Sequence, residues 1–157
     1  MNGIGQPGRS RAWSLNGGRV DVWTSTEKGR HLRGRSSKNT APELALRREL
    51  HRRGLRFRLH VPLERGCNPD LVLPRHRVAV WVDGCFWHGH ETHTRTPETG
   101  PNAALWKAKI EANRARDLRA LELAAAAGWV GVRIWECEIK RDVSAATDLV
   151  SSRTARS

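Results

Sequence analysis

Val78-Ala79-Val80-Trp81-Val82 is an unbroken apolar run that ends at Asp83-Gly84 and opens directly into Cys85-Phe86-Trp87-His88-Gly89-His90-Glu91-Thr92-His93. A run that is apolar at every position has no solvent face, so it predicts a buried central strand rather than an amphipathic one. The residues after it leave the sheet at a strand end, where sheets of this kind collect their ligands. They bring thiol and imidazole ligands, a candidate catalytic histidine and two aromatics into one short loop.

Working upstream, Asp70-Leu71-Val72-Leu73 reads as a short apolar strand ended by Pro74, with a turn at Arg75-His76. Leu55, Phe57, Leu59 and Val61 alternate with Arg56, Arg58 and His60, which predicts a strand with one polar face. Thr40-Ala41-Pro42-Glu43 has the form of a capping box with proline in the first turn. Leu44, Leu46 and Leu50 follow it, and Gly54 is a natural stop, giving a helix over about 41–53. Downstream, a Gly-, Pro- and Thr-containing loop runs from 84 to about 103. A helix over about 104–127 is closed by Gly128, Trp129–Trp135 forms a further strand, and one short helix is expected after Asp142. The order α-β-β-β-α-β gives an α/β fold, a mixed sheet flanked by helices.

The chain has 157 residues, 28 of them Lys or Arg against 16 Asp or Glu, for a net charge of +12. Its length suits one domain with a real core. The charge points to a polyanionic partner, and nucleic acid is favoured over an anionic membrane. No apolar run approaches the roughly 18–20 residues needed to span a bilayer, and no signal-peptide core is visible. A cytoplasmic, nucleoid-associated protein is therefore expected, and no oligomer interface is evident, so a monomer. Residues 1–35 are rich in Gly, Arg and Ser and read as a disordered basic arm. Through Lys38 this segment holds eight basic and two acidic residues, half of the net charge. The domain proper is placed at 36–150, with an unstructured tail at 151–157.

Asp70 opens one strand and Asp83 closes the next, so two carboxylates stand at strand ends where they could hold a hard cation such as magnesium. Asp70 could equally be a strand-end cap. His88, just past Asp83, is placed to act as a general base towards water near a phosphate. Cys85, His90 and His93, with Cys137 beyond the last strand, form a Cys2His2 set suited to structural zinc, although Cys137 could be a simple buried thiol. In a reducing compartment three cysteines (Cys67, Cys85, Cys137) are not a disulfide framework. Phe86 and Trp87 could stack on bases or wedge between base steps, or could cover the zinc ligands as core. On the long helix Trp106, Ile110, Leu121 and Ala124 define an apolar face. Asn113 and Asp117 fall near its centre and Lys109 at its edge. Polar groups on a buried stripe need partners, either a site or a neighbouring loop. Glu43 is explained by the capping box alone.

These residues resemble the very-short-patch repair (Vsr) DNA mismatch endonucleases, over about Ser36 to Asp142. The likeness is carried by Asn39-Thr40-Ala41-Pro42-Glu43, Pro69-Asp70-Leu71-Val72, Gly84-Cys85-Phe86-Trp87-His88, Asn113 with Arg116-Asp117, and Trp135-Glu136-Cys137. It implies a restriction-endonuclease-like fold with a structural zinc site. It implies nicking of double-stranded DNA 5′ to the T of a T:G mismatch left by deamination of 5-methylcytosine, with magnesium for cleavage and mismatch-repair factors as partners. By position, Asp70 is implied as the magnesium-binding acid and His88 as the general base, with Glu43 and Asp117 in support. The backbone carbonyl of Val82 is implied as a further magnesium ligand. Phe86 and Trp87 correspond to an aromatic wedge, Lys109 and Asn113 to readers of the mismatched pair, and Cys85, His90, His93 and Cys137 to the zinc set. The sequence departs from the family in two places. A histidine usually stands at the place of Asp83, which makes Asp83 a candidate second metal acid, and the third zinc ligand is usually a cysteine closer in sequence than His93. Two alternatives share the residues: a general or structure-specific magnesium-dependent nuclease without mismatch preference, and a zinc-stapled DNA-binding module without catalysis.

Overall fold

The computed structural model describes residues 38–92, 99–100 and 102–155. The basic arm expected over 1–35 and the zinc ligand expected at His93 lie outside these residues. Helix α1 (Ala41–Arg52) begins where the sequence predicts. Thr40 caps it by accepting a hydrogen bond from the Glu43 amide at 3.5 Å, and Pro42 sits in the first turn, where its missing N–H costs nothing. At its end Gly54 takes φ +79°. The Gly54 amide donates to the His51 carbonyl and the Leu55 amide to that of Leu50, each at 3.0 Å. This closing pattern needs a left-handed residue, which glycine supplies without strain.

The sheet has four strands in the order β1-β2-β3-β4: β1 (Arg58–Leu59), β2 (Leu71–Leu73), β3 (Val78–Asp83) and β4 (Val130–Trp135). The first two pairings are antiparallel, and β3 and β4 run parallel with Trp81 beside Arg133 and Asp83 beside Trp135. β1 is far shorter than the alternation over 55–61 predicts. It pairs at an edge with a three-residue neighbour, both its residues are exposed, and His60 at φ +50° ends the extended run.

Helix α2 (Ala103–Ala126) crosses from β3 to β4 on one face of the sheet. Cys67, Val72, Ala79, Trp81, Ala120 and Ala124 form the core on that side. The opposite face is covered by α1, α3 (Glu136–Arg141) and α4 (Val143–Thr154). There Leu46 and Leu50 meet Leu71, Leu73, Val78, Val80, Ile134, Ile139 and Val150. One helix, α4, stands after Asp142 where a short one was expected, and it carries helical structure past the boundary drawn at 150, while α3, which ends before Asp142, was not expected. Burial explains it, since Ile139, Ala146 and Val150 complete the second core. The mixed α/β fold with flanking helices agrees with the element order read from the sequence. Because strand side chains alternate, the period that buries Ala79 and Trp81 on the α2 side places Asp83 there as well.

Candidate active site and metal centre

β3 delivers Asp83, nearly fully buried, to the sheet end facing α2. The chain then turns tightly, with the His88 amide donating to the Gly84 carbonyl at 3.2 Å and the His90 amide to that of Cys85 at 2.8 Å. Two side chains of α2 hold the turn from one side. Asn113 Nδ2 donates to the Trp87 carbonyl at 2.6 Å, and Arg114 donates to the Gly89 carbonyl. From the other side Glu136 of α3 accepts the Cys85 amide at 3.1 Å. Asn113 is thus a buried polar residue whose partners are a loop carbonyl and Arg116.

At the centre, His88 Nδ1 lies 2.5 Å from Asp117 Oδ2 and 3.7 Å from Asp83 Oδ1. Ligand atoms of Asp83, His88 and Asp117 all fall within 4.8 Å of one another. Among the described residues nothing hydrogen-bonds His88 Nε2, so that nitrogen is available to a water. A cavity of about 440 Å3 opens over the cluster, lined by Asp83, His88, Asp117 and Arg133, with Arg114 and Trp135 at its sides. Asp83 is held by Arg133, whose Nε donates to Oδ2 at 2.5 Å. Reasoning from sequence missed Arg133. Its one visible signal is a charge placed among the apolar positions of the strand predicted over Trp129–Trp135.

Asp70 stands just before β2, and its Oδ2 accepts the Val82 amide at 2.7 Å. Burial holds its carboxyl above the ordinary carboxylate range, and the Glu43 and Asp83 carboxylates push the same way against the Val82 hydrogen bond. Val82 therefore meets Asp70 through its N–H. Glu43 is buried at the start of α1 and takes the Asn39 amide at 3.0 Å, the Thr40 hydroxyl at 3.1 Å and Arg47 Nη2 at 2.8 Å. Carboxylate oxygens are the donor type that a hard divalent ion prefers.

The soft ligands gather separately. Cys85, His90 and Cys137 bring their ligand atoms within 4.8 Å of one another, with Cys137 Sγ 3.5 Å from His90 Nδ1. Thr92 Oγ1 lies 3.0 Å from His90 Nε2, and the Trp135 ring stacks on His90 at 4.2 Å with 4° between planes. Burial pushes the Cys85 thiol up. Two thiols and one imidazole at this spacing fit zinc.

The aromatics form a third group. Phe86 packs edge-on against Trp87 at 5.4 Å and Trp106 at 5.0 Å. Lys109 Nζ lies 5.3 Å from the centre of the Trp87 ring. Phe86, Trp87, Lys109 and Asn113 are thus neighbours across the loop and the first half of α2.

The family model described as DNA mismatch endonuclease Vsr matches residues 20–94. A type II nicking enzyme, V.XorIIP of Xanthomonas oryzae pv. oryzae, is 45% identical over 117 residues, covering 73% of this chain and 84% of that one. The type II nicking enzyme V.NaeI of Lentzea aerocolonigenes is 37% identical over 123 residues, 76% of this chain and 73% of its own. The DNA mismatch endonuclease Vsr of Escherichia coli is 31% identical over 122 residues, covering 77% and 76%.

Proposed function

The chain belongs to the Vsr family and is an endonuclease that cleaves DNA, and from that premise we propose that it nicks double-stranded DNA 5′ to the T of a T:G mismatch. The observation that carries the proposal is the 2.5 Å contact of His88 Nδ1 with Asp117 beside the buried carboxylates. An imidazole whose Nδ1 is held by a carboxylate presents Nε2 as an acceptor. In this reading His88 Nε2 takes a proton from water as the water oxygen bonds to phosphorus and the bond to the leaving sugar oxygen breaks. Asp117 fixes the ring and stabilises the imidazolium that forms. Asp70 would hold magnesium, with the Val82 carbonyl as the further ligand that the family resemblance implies, and the ion supplies charge stabilisation at the phosphate and leaving oxygen when bound. Glu43 supports this acidic side from α1, and Asp83 either lends its carboxylate to the cation or stays with Arg133.

Cys85, His90 and Cys137, with His93 as fourth ligand, would hold structural zinc and so fasten the loop of residues 84–92 to α3. Phe86 and Trp87 enter the duplex beside the weak pair, where unstacking costs least, and Lys109 and Asn113 read it. No helix among the described residues is long and apolar enough to cross a membrane. We place the protein in the cytoplasm, at the nucleoid, with DNA and repair factors as partners.

The test is nicking of labelled duplexes holding one T:G pair in several sequence contexts, beside T:A controls, with and without magnesium. Magnesium-dependent nicking of the T strand at the mismatch alone is expected, and Asp70→Ala should abolish it while DNA binding persists. Equal cleavage of matched duplexes would replace this reading with a general nuclease.

A further inference from the structure

Arg133 reaches the centre of the site from a strand that is otherwise apolar. Its Nη2 bonds Asp83 Oδ1, lies 3.2 Å from Asp117 Oδ2 and lies 3.5 Å from His88 Nδ1. Its Nη1 is buried and has no hydrogen-bond partner among the described residues. One guanidinium therefore touches both carboxylates and the imidazole they flank. Without it, Asp83 and Asp117 would face each other across a space where like charges repel, and Asp117 would be left to its contact with His88, itself carried on a loop. His88 rides on a loop, whereas Arg133 is anchored in β4 beside Trp81 of the parallel pair. Its planar fork can satisfy Asp83 with two nitrogens and still reach Asp117, a geometry that a lysine ammonium lacks.

We propose that Arg133 is a positioning residue for strand cleavage: it orients Asp117, and through Asp117 it holds His88 Nδ1 so that Nε2 faces water. The inference rests on the roles given above to His88 and Asp117. The competing account is that Arg133 serves only as the counterion of buried Asp83.

The deciding experiment is single-turnover nicking with full-length enzyme in excess over a duplex that the wild-type chain nicks. DNA affinity and melting temperature are measured on each variant. Arg133→Met should slow nicking by about tenfold or more with DNA affinity unchanged. Because this variant leaves a buried carboxylate unpaired, Asp83→Asn/Arg133→Met is made beside it, removing the pair as a unit. That double variant should melt near the wild type and remain as slow as Arg133→Met. In Asp117→Asn, adding Arg133→Met should slow nicking no further, since the two act through one contact. Recovery of the wild-type rate in Asp83→Asn/Arg133→Met overturns the inference, as do losses that multiply in the Asp117 pair. His88→Ala runs in parallel: if it nicks at the wild-type rate, the site reading itself fails, independently of the Arg133 results.

Discussion

Asp70 is a residue at which folding and chemistry make opposite demands. Burial lifts its carboxyl above the ordinary value, so without a cation the folded chain holds this proton more tightly than the unfolded chain does. The stability this group contributes is present below its unfolded pKa and is lost as pH rises through the folded value. Asp70→Asn should therefore melt higher than the wild type at neutral pH when both are stripped of metal, with the difference closing in acid. Thermal melts across pH in chelator check this, and the same variant should not nick. Magnesium should raise the melting temperature of the wild type and not of Asp70→Asn. For His88→Ala a loss of about 10²–10⁴-fold in nicking is expected, the usual weight of a positioned base. Asp70, His88 and Asp117 stand out as candidates in sequence because Asp70 opens an apolar strand, His88 sits in the loop just past another, and Asp117 lies on an apolar helical stripe; the structure brings His88 and Asp117 together. Arg133 was not, because the partner that gives it meaning lies 50 residues away. Only the parallel register of β3 and β4 brings the two together.

At the scale of elements, the loop of residues 84–92 is the joint of the molecule. Gly89 stands within it at φ +66°, where an added Cβ would lie 2.6 Å from Ile110 Cγ2 and 3.0 Å from Arg114 Nε. Gly89→Ala meets both backbone strain and a clash with α2, so it should cost about 1–3 kcal/mol. It should also misplace His88 and His90 together, lowering nicking and zinc content in one variant, read by denaturant melts and metal analysis. The helices were legible to within a residue or two because glycines at 54 and 128 close them. At the second, the Gly128 amide donates to Ala125 and that of Trp129 to Ala124, each at 2.9 Å. The weak edge strand β1 was over-read, because alternation in sequence cannot tell whether a neighbour is long enough to pair. The pair α3 and α4 was under-read, because a small-residue helix such as Val143–Thr154 shows little contrast between its faces until the sheet that covers it is known.

At the scale of the whole molecule, charge governs how DNA is found. Residues 1–37 hold seven basic against two acidic residues. Each phosphate they neutralise adds about 0.9 to the slope of log affinity against log salt. A chain starting at Lys38 should bind duplex DNA more weakly at low salt and with a shallower slope, by up to about 6. Its maximal nicking rate on bound DNA should stay unchanged, since every candidate catalytic residue lies downstream. Filter binding over a salt series, paired with single-turnover rates, separates the two effects. The layered α/β fold was legible at this scale from one buried strand and the order of elements around it, whereas which charges meet across the sheet was not.

The flat stack of Trp135 on His90 makes the protein its own optical gauge. An indole in van der Waals contact with an imidazole senses any change in that ring's charge, so withdrawing the zinc proposed for this site should alter the emission of Trp135. Fluorescence of the unlabelled chain during chelator titration would then report occupancy of the metal centre in real time. Trp135→Phe, with the other six tryptophans left in place, should silence that signal.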